Sequence, residues 1–184
     1  LQALLQIRDS VIPTYQNPAG TTLDDERRDA VVQLAARHGV LVLEDDPYGL
    51  LHFDAPAPST IFSRRGDAPI AFSGSFSKTV APGLRVGWLV LPDELASRVA
   101  TLANDTYISS SFLGQATVDE YLAAGAFEPN VDRARALLHE RRDIVVDALR
   151  RHLPAATFVV PEGGYFIWVR LPDGCDAMAL LPKA

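Results

Sequence analysis

The 184 residues, 48% hydrophobic and 22% charged, are enough for one sizeable core or for one domain and part of a second, not for two complete enzyme domains. A net charge of −6, with arginines spread over helix patterns that also carry Asp and Glu, argues against nucleic-acid binding by this segment, and no apolar run nears the ~18 residues of a membrane helix. The lone Cys175 has no partner for a disulfide or a CxxC site, which points to a reducing compartment, the cytoplasm, and away from structural zinc.

The sequence starts at Leu1 without Met and ends in "MALLPKA" as a new helix begins, so it reads as an internal piece of a longer protein. A short buried strand is predicted over 10–13, followed by the turn-rich "TYQNPAG". Thr22 is the expected N-cap of the next helix, with Asp24, Asp25 and Glu26 in its first turn and Val31, Val32, Leu34 and Ala35 at helical spacing. Gly39 ends that helix, with His38 in its last turn. The apolar run over 40–45 completes a βαβ unit with parallel pairing.

Pro13, Leu43 and Phe72 then mark three candidate strand ends, leading into "TYQNP", "EDDPY" and "SGSFSK". Loops at the carboxyl edge of a parallel sheet are where small-molecule chemistry collects. Another strand is expected over 85–92 and helices over 93–107, 112–124 and 131–152, the last presenting Ala134, Leu137, Leu138, Val145, Ala148 and Leu149 on one side. "TFVV", "PEGG" and "YFIWVRL" suggest an antiparallel pair. The change of pattern places a domain boundary near Glu128, dividing the chain into 1–127 and 128–184.

Lys78 sits among serines after an apolar run, with Arg85 seven residues on. A lysine that does covalent work must lose its proton for part of the cycle, which favours a partly buried site near positive charge. Ser75, Ser77 and Arg85 offer two hydroxyls and a guanidinium fork, donors suited to a phosphate dianion. "EDDPY" adds carboxylates and the Tyr48 phenol at a strand end, and "QNPAG" adds the Asn17 amide before a proline.

"PTYQNPAG" at 13–20, "EDDPY" at 44–48, "SGSFSKTVAPGLRVGW" at 73–88 and "PEGGYFIWVRLP" at 161–172, taken in that order, resemble the fold type I pyridoxal 5′-phosphate (PLP) aminotransferases of class I/II. The likeness is greatest to the branch containing α-aminoadipate and kynurenine aminotransferases and the effector domains of MocR-type regulators. The resemblance implies an α/β fold, a three-layer sandwich around a mainly parallel sheet, plus a smaller α+β C-terminal domain, both incomplete in this chain.

It further implies that Lys78 bonds the PLP aldehyde and that Asp45 pairs with the pyridine nitrogen. Glu44 and Asp46 are the alternatives within "EDD", and the family's tyrosine three residues after its aspartate favours Asp45. Tyr48 and Asn17 are implied at the ring oxygen, and Ser75, Ser77 and Arg85 at the phosphate. Implied with them are amino-acid and 2-oxo-acid substrates exchanged by a ping-pong route and a homodimer with shared sites. The same fold also allows a PLP-binding regulator domain or a PLP-dependent lyase or decarboxylase.

Other features have plainer readings. The four histidines lack metal-ligand spacing and read as surface or helix-end residues. Trp88 and Trp168 lie in expected strands and read as core. Tyr165 and Phe166 follow a glycine turn that in the family borders the substrate pocket. Each "ERRD", at 26–29 and 140–143, reads as an ion-paired helix face.

Overall fold

The computed structural model describes residues 7–183, so Leu1, where the sequence starts without methionine, lies outside them. Four strands, β1 (Ile7–Val11), β2 (Leu41–Asp46), β3 (Ile70–Ser75) and β4 (Gly87–Val90), form one sheet in that order. β1, β2 and β3 run parallel and β4 returns antiparallel to β3, so the sheet is mainly parallel. Between β1 and β2 runs α1 (Asp25–His38), the crossover that a parallel pair needs.

Side chains alternate along each strand, so register decides what shares a face. Leu41–Asp46 pairs with β3 such that Asp45 stands opposite Ser73, and Val42, Glu44 and Asp46 opposite Ile70, Phe72 and Gly74. The Val42 and Ile70 face packs on α1 in a core of Ala35, Val42, Ile61, Ala68 and Ile70, flanked by Val11, Val31 and Val32. Asp45, Ser73 and Ser75 therefore occupy the opposite face.

Local chemistry shifted several expected boundaries. The first strand runs Ile7–Val11 instead of over 10–13, because Pro13 lacks the N–H a strand would use. Asp24, not Thr22, caps α1: its carboxylate accepts from Arg27 N at 2.8 Å, while the Thr22 hydroxyl accepts from Tyr15 N at 3.2 Å. Leu34, expected on the apolar stripe, is exposed. Gly39 ends α1 in the left-handed region at φ 59°.

Arg85 also lies in the left-handed region at φ 56°, so β4 begins at Gly87 rather than at 85. After it come α2 (Asp93–Tyr107), α3 (Phe112–Ala123) and α4 (Phe127–His152). The last starts at Phe127, ahead of the expected Val131. Its buried residues are Val131 and Val146, while Leu137 and Val145 are exposed, a stripe rotated from the expected one. The antiparallel pair is present but short, β5 (Thr157–Phe158) with β6 (Val169–Arg170), and α5 (Ala177–Leu180) follows. No helix among the described residues is long and apolar enough to cross a membrane.

Candidate functional site

The expected residues fall into two adjoining groups at the carboxyl ends of β2 and β3. In the first, Ser77 N donates to Ser75 Oγ at 3.1 Å and Arg85 Nη1 reaches Ser77 Oγ at 3.4 Å and Pro82 O at 3.3 Å. Ser75, Ser77 and Arg85 line a cleft of about 410 Å³ with Ser73, Gly87 and Leu89. Among the described residues, Arg85 Nε and Nη2 have no hydrogen-bond partner, which leaves a guanidinium fork beside three hydroxyls. That donor set fits a phosphate dianion.

In the second group Tyr48 is buried between two aromatic rings, Tyr165 at 6.0 Å and Phe166 at 5.8 Å. Burial pushes its phenol pKa up; the neighbouring Asn17 amide opposes the shift and the Asp45 carboxylate adds to it. Asn17, Asp45 and Tyr48 thus share one neighbourhood. Asn17 is exposed and its peptide bond to Pro18 is cis.

The three acids of "EDD" separate cleanly by strand alternation. Glu44 is fully buried, accepts from Ile61 N at 3.1 Å and Phe62 N at 2.7 Å, and lies 3.8 Å from the equally buried Arg28 guanidinium. Asp46 accepts from Gly49 N at 2.7 Å and so closes the turn after β2. Burial raises the pKa of both, against those hydrogen bonds. Asp45, on the face with Ser73 and Ser75, has neither structural duty.

Lys78 joins the second group through Tyr165. The Tyr165 hydroxyl donates to the Lys78 carbonyl at 3.2 Å, and Lys78 Nζ stands 5.8 Å from the centre of the Tyr165 ring. The expectation of a partly buried lysine is not met, since Lys78 is exposed. Lys78 is also absent from the lining of the serine–arginine cleft.

Ser73 and the bridging position of Tyr165 escaped the sequence reading. Period-two spacing in "SGS" would have found Ser73. Nothing local in the sequence connects Tyr165 to Lys78, 87 residues away.

Several plainer readings change as well. Arg28 of the first "ERRD" is not a surface residue but fully buried, donating to Leu23 O, Pro13 O and Thr14 Oγ1 at 2.8–3.0 Å. Arg142 of the second is nearly buried and bonds Pro161 O. Trp88 and Trp168 are 41% and 58% exposed, so neither is core. His52 is not a surface histidine: its Nδ1 is buried without a hydrogen-bond partner among the described residues, and burial lowers its pKa.

Known proteins resemble the chain in sequence and fold. The family model "Aminotransferase class I and II" matches residues 10–181. The structure of Pyrococcus horikoshii kynurenine aminotransferase, solved with PMP, is similar with a TM-score of 0.90 and 34% identity, over 95% of this chain and 43% of that one. LysN, the α-aminoadipate aminotransferase of Thermus thermophilus, complexed with N-(5′-phosphopyridoxyl)-L-leucine, gives 0.88 and 30% over 95% and 46%. The uncharacterized HTH-type transcriptional regulator YisV of Bacillus subtilis strain 168 is 38% identical over 159 residues, which are 86% of this chain and 33% of the regulator.

The chain thus spans less than half the length of these relatives. Its architecture is that of the fold type I PLP aminotransferases. With nearly its whole length matched, the chain belongs to the aminotransferase class I and II family.

Proposed function

We propose that the protein of which this chain is part is a PLP-dependent aminotransferase, moving an amino group from an amino acid to a 2-oxo acid by a ping-pong route. The observation that carries this reading is the shared sheet face of Asp45, Ser73 and Ser75, bounded by Ser77 and Arg85. A carboxylate and a phosphate-type donor set on one face suit a cofactor with a basic ring at one end and a phosphate at the other. When bound, PLP supplies an electron sink for the carbanion formed at substrate Cα.

In this reading Lys78 Nζ would be the amine that holds the cofactor through its aldehyde. Asp45 would hold a proton on the ring nitrogen, and Tyr48 and Asn17 would hydrogen-bond the ring oxygen. Ser75, Ser77 and Arg85 bind the phosphate. Lys78 Nζ would also serve as the general base that takes the proton from substrate Cα. A large domain over 1–127 and a small one over 128–184 complete the proposal, with α4 running unbroken across the division. So does a homodimer with shared sites in a reducing, cytoplasmic setting, in keeping with the single, exposed, free Cys175.

The test is the visible absorbance of the full-length protein with PLP, wild type beside Lys78→Ala, before and after a panel of amino acids. A lysine-bound band in wild type alone, converted by some amino acids to a pyridoxamine form, supports the proposal. No band in wild type sinks it. A second reading, a PLP-binding effector domain, is favoured by the identity to YisV; a band that forms yet is converted by no amino acid selects it. Ammonia or carbon dioxide as product selects a lyase or decarboxylase.

A further inference from the structure

We propose that Tyr165 is a positioning residue for Lys78, fixing the backbone of the lysine with its hydroxyl and the ammonium end with its ring. This rests on the reading of Lys78 as the cofactor-bonding amine. Three contacts support it. Tyr165 Oη donates to Lys78 O at 3.2 Å, Lys78 Nζ lies 5.8 Å from the ring centre, and the same ring packs against Tyr48 at 6.0 Å with the planes tilted by 55°. A cation at that distance from an aromatic face is held by the ring quadrupole. One side chain from the "PEGGYF" segment therefore joins the residues after β3 to those after β2.

Tyr165 is itself held in place by its approach. Gly163 and Gly164 lie so close to Tyr15 that a Cβ on either would stand 2.4 Å from Tyr15 Cζ or 2.7 Å from Tyr15 Cβ. Gly164 N donates to Leu51 O at 2.9 Å. On the other side, a Cβ on Gly20 would meet Phe166 O at 2.7 Å. The residues on both sides of Tyr165 are thus docked on the loop that carries Asn17. Burial, with Tyr48 adding and Arg141 opposing, raises the Tyr165 pKa, so the hydroxyl keeps its proton and remains a donor at neutral pH.

A hydroxyl–carbonyl bond and a ring beneath Nζ make separable contributions. Tyr165→Phe removes only the first and Tyr165→Leu removes both. Full-length wild type and both variants are loaded with PLP, and two quantities are read: the rate at which the lysine-bound absorbance band appears, and the pH at which that band loses its proton.

Band formation is expected to slow about 2- to 10-fold in both variants, as for the loss of one net hydrogen bond. The titration midpoint is expected to fall by about half a unit in Tyr165→Leu and to stay in place in Tyr165→Phe, because only the ring favours the charged nitrogen. A residue that merely supports the fold would not split the two variants in this way. Wild-type rates and midpoints in both variants overturn the role of Tyr165 while leaving Lys78 as it stands. No band in wild type overturns the reading of Lys78 and this proposal with it. Should the Leu variant not fold, the rate for Tyr165→Phe, which keeps the ring and its packing, decides alone.

Discussion

Among single residues, the three consecutive acids Glu44, Asp45 and Asp46 show how one strand assigns different duties to like side chains. Glu44 and Asp46 point to one face and are consumed by backbone N–H groups, while Asp45 is left on the serine face. Asp46 carries a raised pKa because burial disfavours its charge, so the native state holds its proton to higher pH than the unfolded chain does. Its contribution to stability is therefore full below the ordinary carboxylate range and is lost as pH rises through the raised native value. Asp46→Asn keeps an oxygen acceptor for Gly49 N but does not titrate. The stability of wild type relative to this variant, measured by urea unfolding, is expected to be greatest below about pH 4 and to shrink toward neutrality. A constant difference would refute the burial of a titrating carboxylate. Asp45→Asn, by contrast, is expected to change stability by less than about 0.5 kcal/mol while weakening PLP retention, read by dialysis of the loaded full-length protein.

At the level of elements, Arg28 binds four pieces of chain to α1. Its guanidinium donates to Pro13 O, Thr14 Oγ1, Leu23 O and, at 3.4 Å, Ser59 O, and it faces Glu44 across the core. The pair is fully buried and desolvation works against both charges, lowering the arginine pKa and raising that of the glutamate. Removing one partner leaves the other charge without compensation, so Arg28→Met is expected to cost about 3–5 kcal/mol in urea unfolding. Replacing both, as Arg28→Met with Glu44→Leu, is expected to recover no more than half. The Leu23 carbonyl and the Thr14 hydroxyl would still lack the Arg28 donor, and the N–H groups of Ile61 and Phe62 the Glu44 acceptor, while Pro13 O keeps Leu23 N and Ser59 O keeps Arg64 Nε. Full recovery in the double variant would show that the charge alone, not the clamp, matters. Period and punctuation made α1 legible in the sequence, with Gly39 at its end. The clamp was not, because all but one of its partners come from outside the helix and its lead-in, and an arginine inside "ERRD" looks like any solvated helix residue. The cap moved from Thr22 to Asp24 for a related reason: the Thr22 hydroxyl is engaged by Tyr15 N, a contact across a loop.

Across the whole molecule, the motifs were readable one by one while their docking was not. "TYQNPAG" and "PEGGYF" lie near opposite ends of the sequence yet form one unit: Gly163 and Gly164 rest on Tyr15, Phe53 N donates to Glu162 O at 2.9 Å, and His52 bridges Gly163. Sequence spacing carries the local turn chemistry of each stretch, but the fit of a glycine pair to one tyrosine ring is a tertiary property. The same limit explains the tryptophans: strand residues read as core by type, whereas burial depends on what covers the strand.

Gly163 gives the docking a direct test. An added Cβ would stand 2.4 Å from Tyr15 Cζ and 2.7 Å from the Leu51 carbonyl, a ring and a backbone atom. Neither is the far end of a flexible chain, so Gly163→Ala forces the segments apart and is expected to cost about 1–3 kcal/mol. Gly174 is the control: at φ +85° with nothing within 4 Å of its added Cβ, Gly174→Ala bears only the left-handed backbone cost, about 1–2 kcal/mol. Similar stability losses would therefore arise from different causes, and amide hydrogen exchange separates them. In Gly163→Ala the Phe53 and Gly164 amides, bonded to Glu162 O and Leu51 O, are expected to exchange faster, together with the Gln16 amide bonded to Thr21 O. In Gly174→Ala those three amides should stay as slow as in wild type. Faster exchange at Phe53 and Gly164 with Gln16 unchanged would mean that the two segments open independently, and the loop bearing Asn17 would then owe its shape to Arg28 and to its own bonds, Tyr15 N to Thr22 Oγ1 and Gln16 N to Thr21 O.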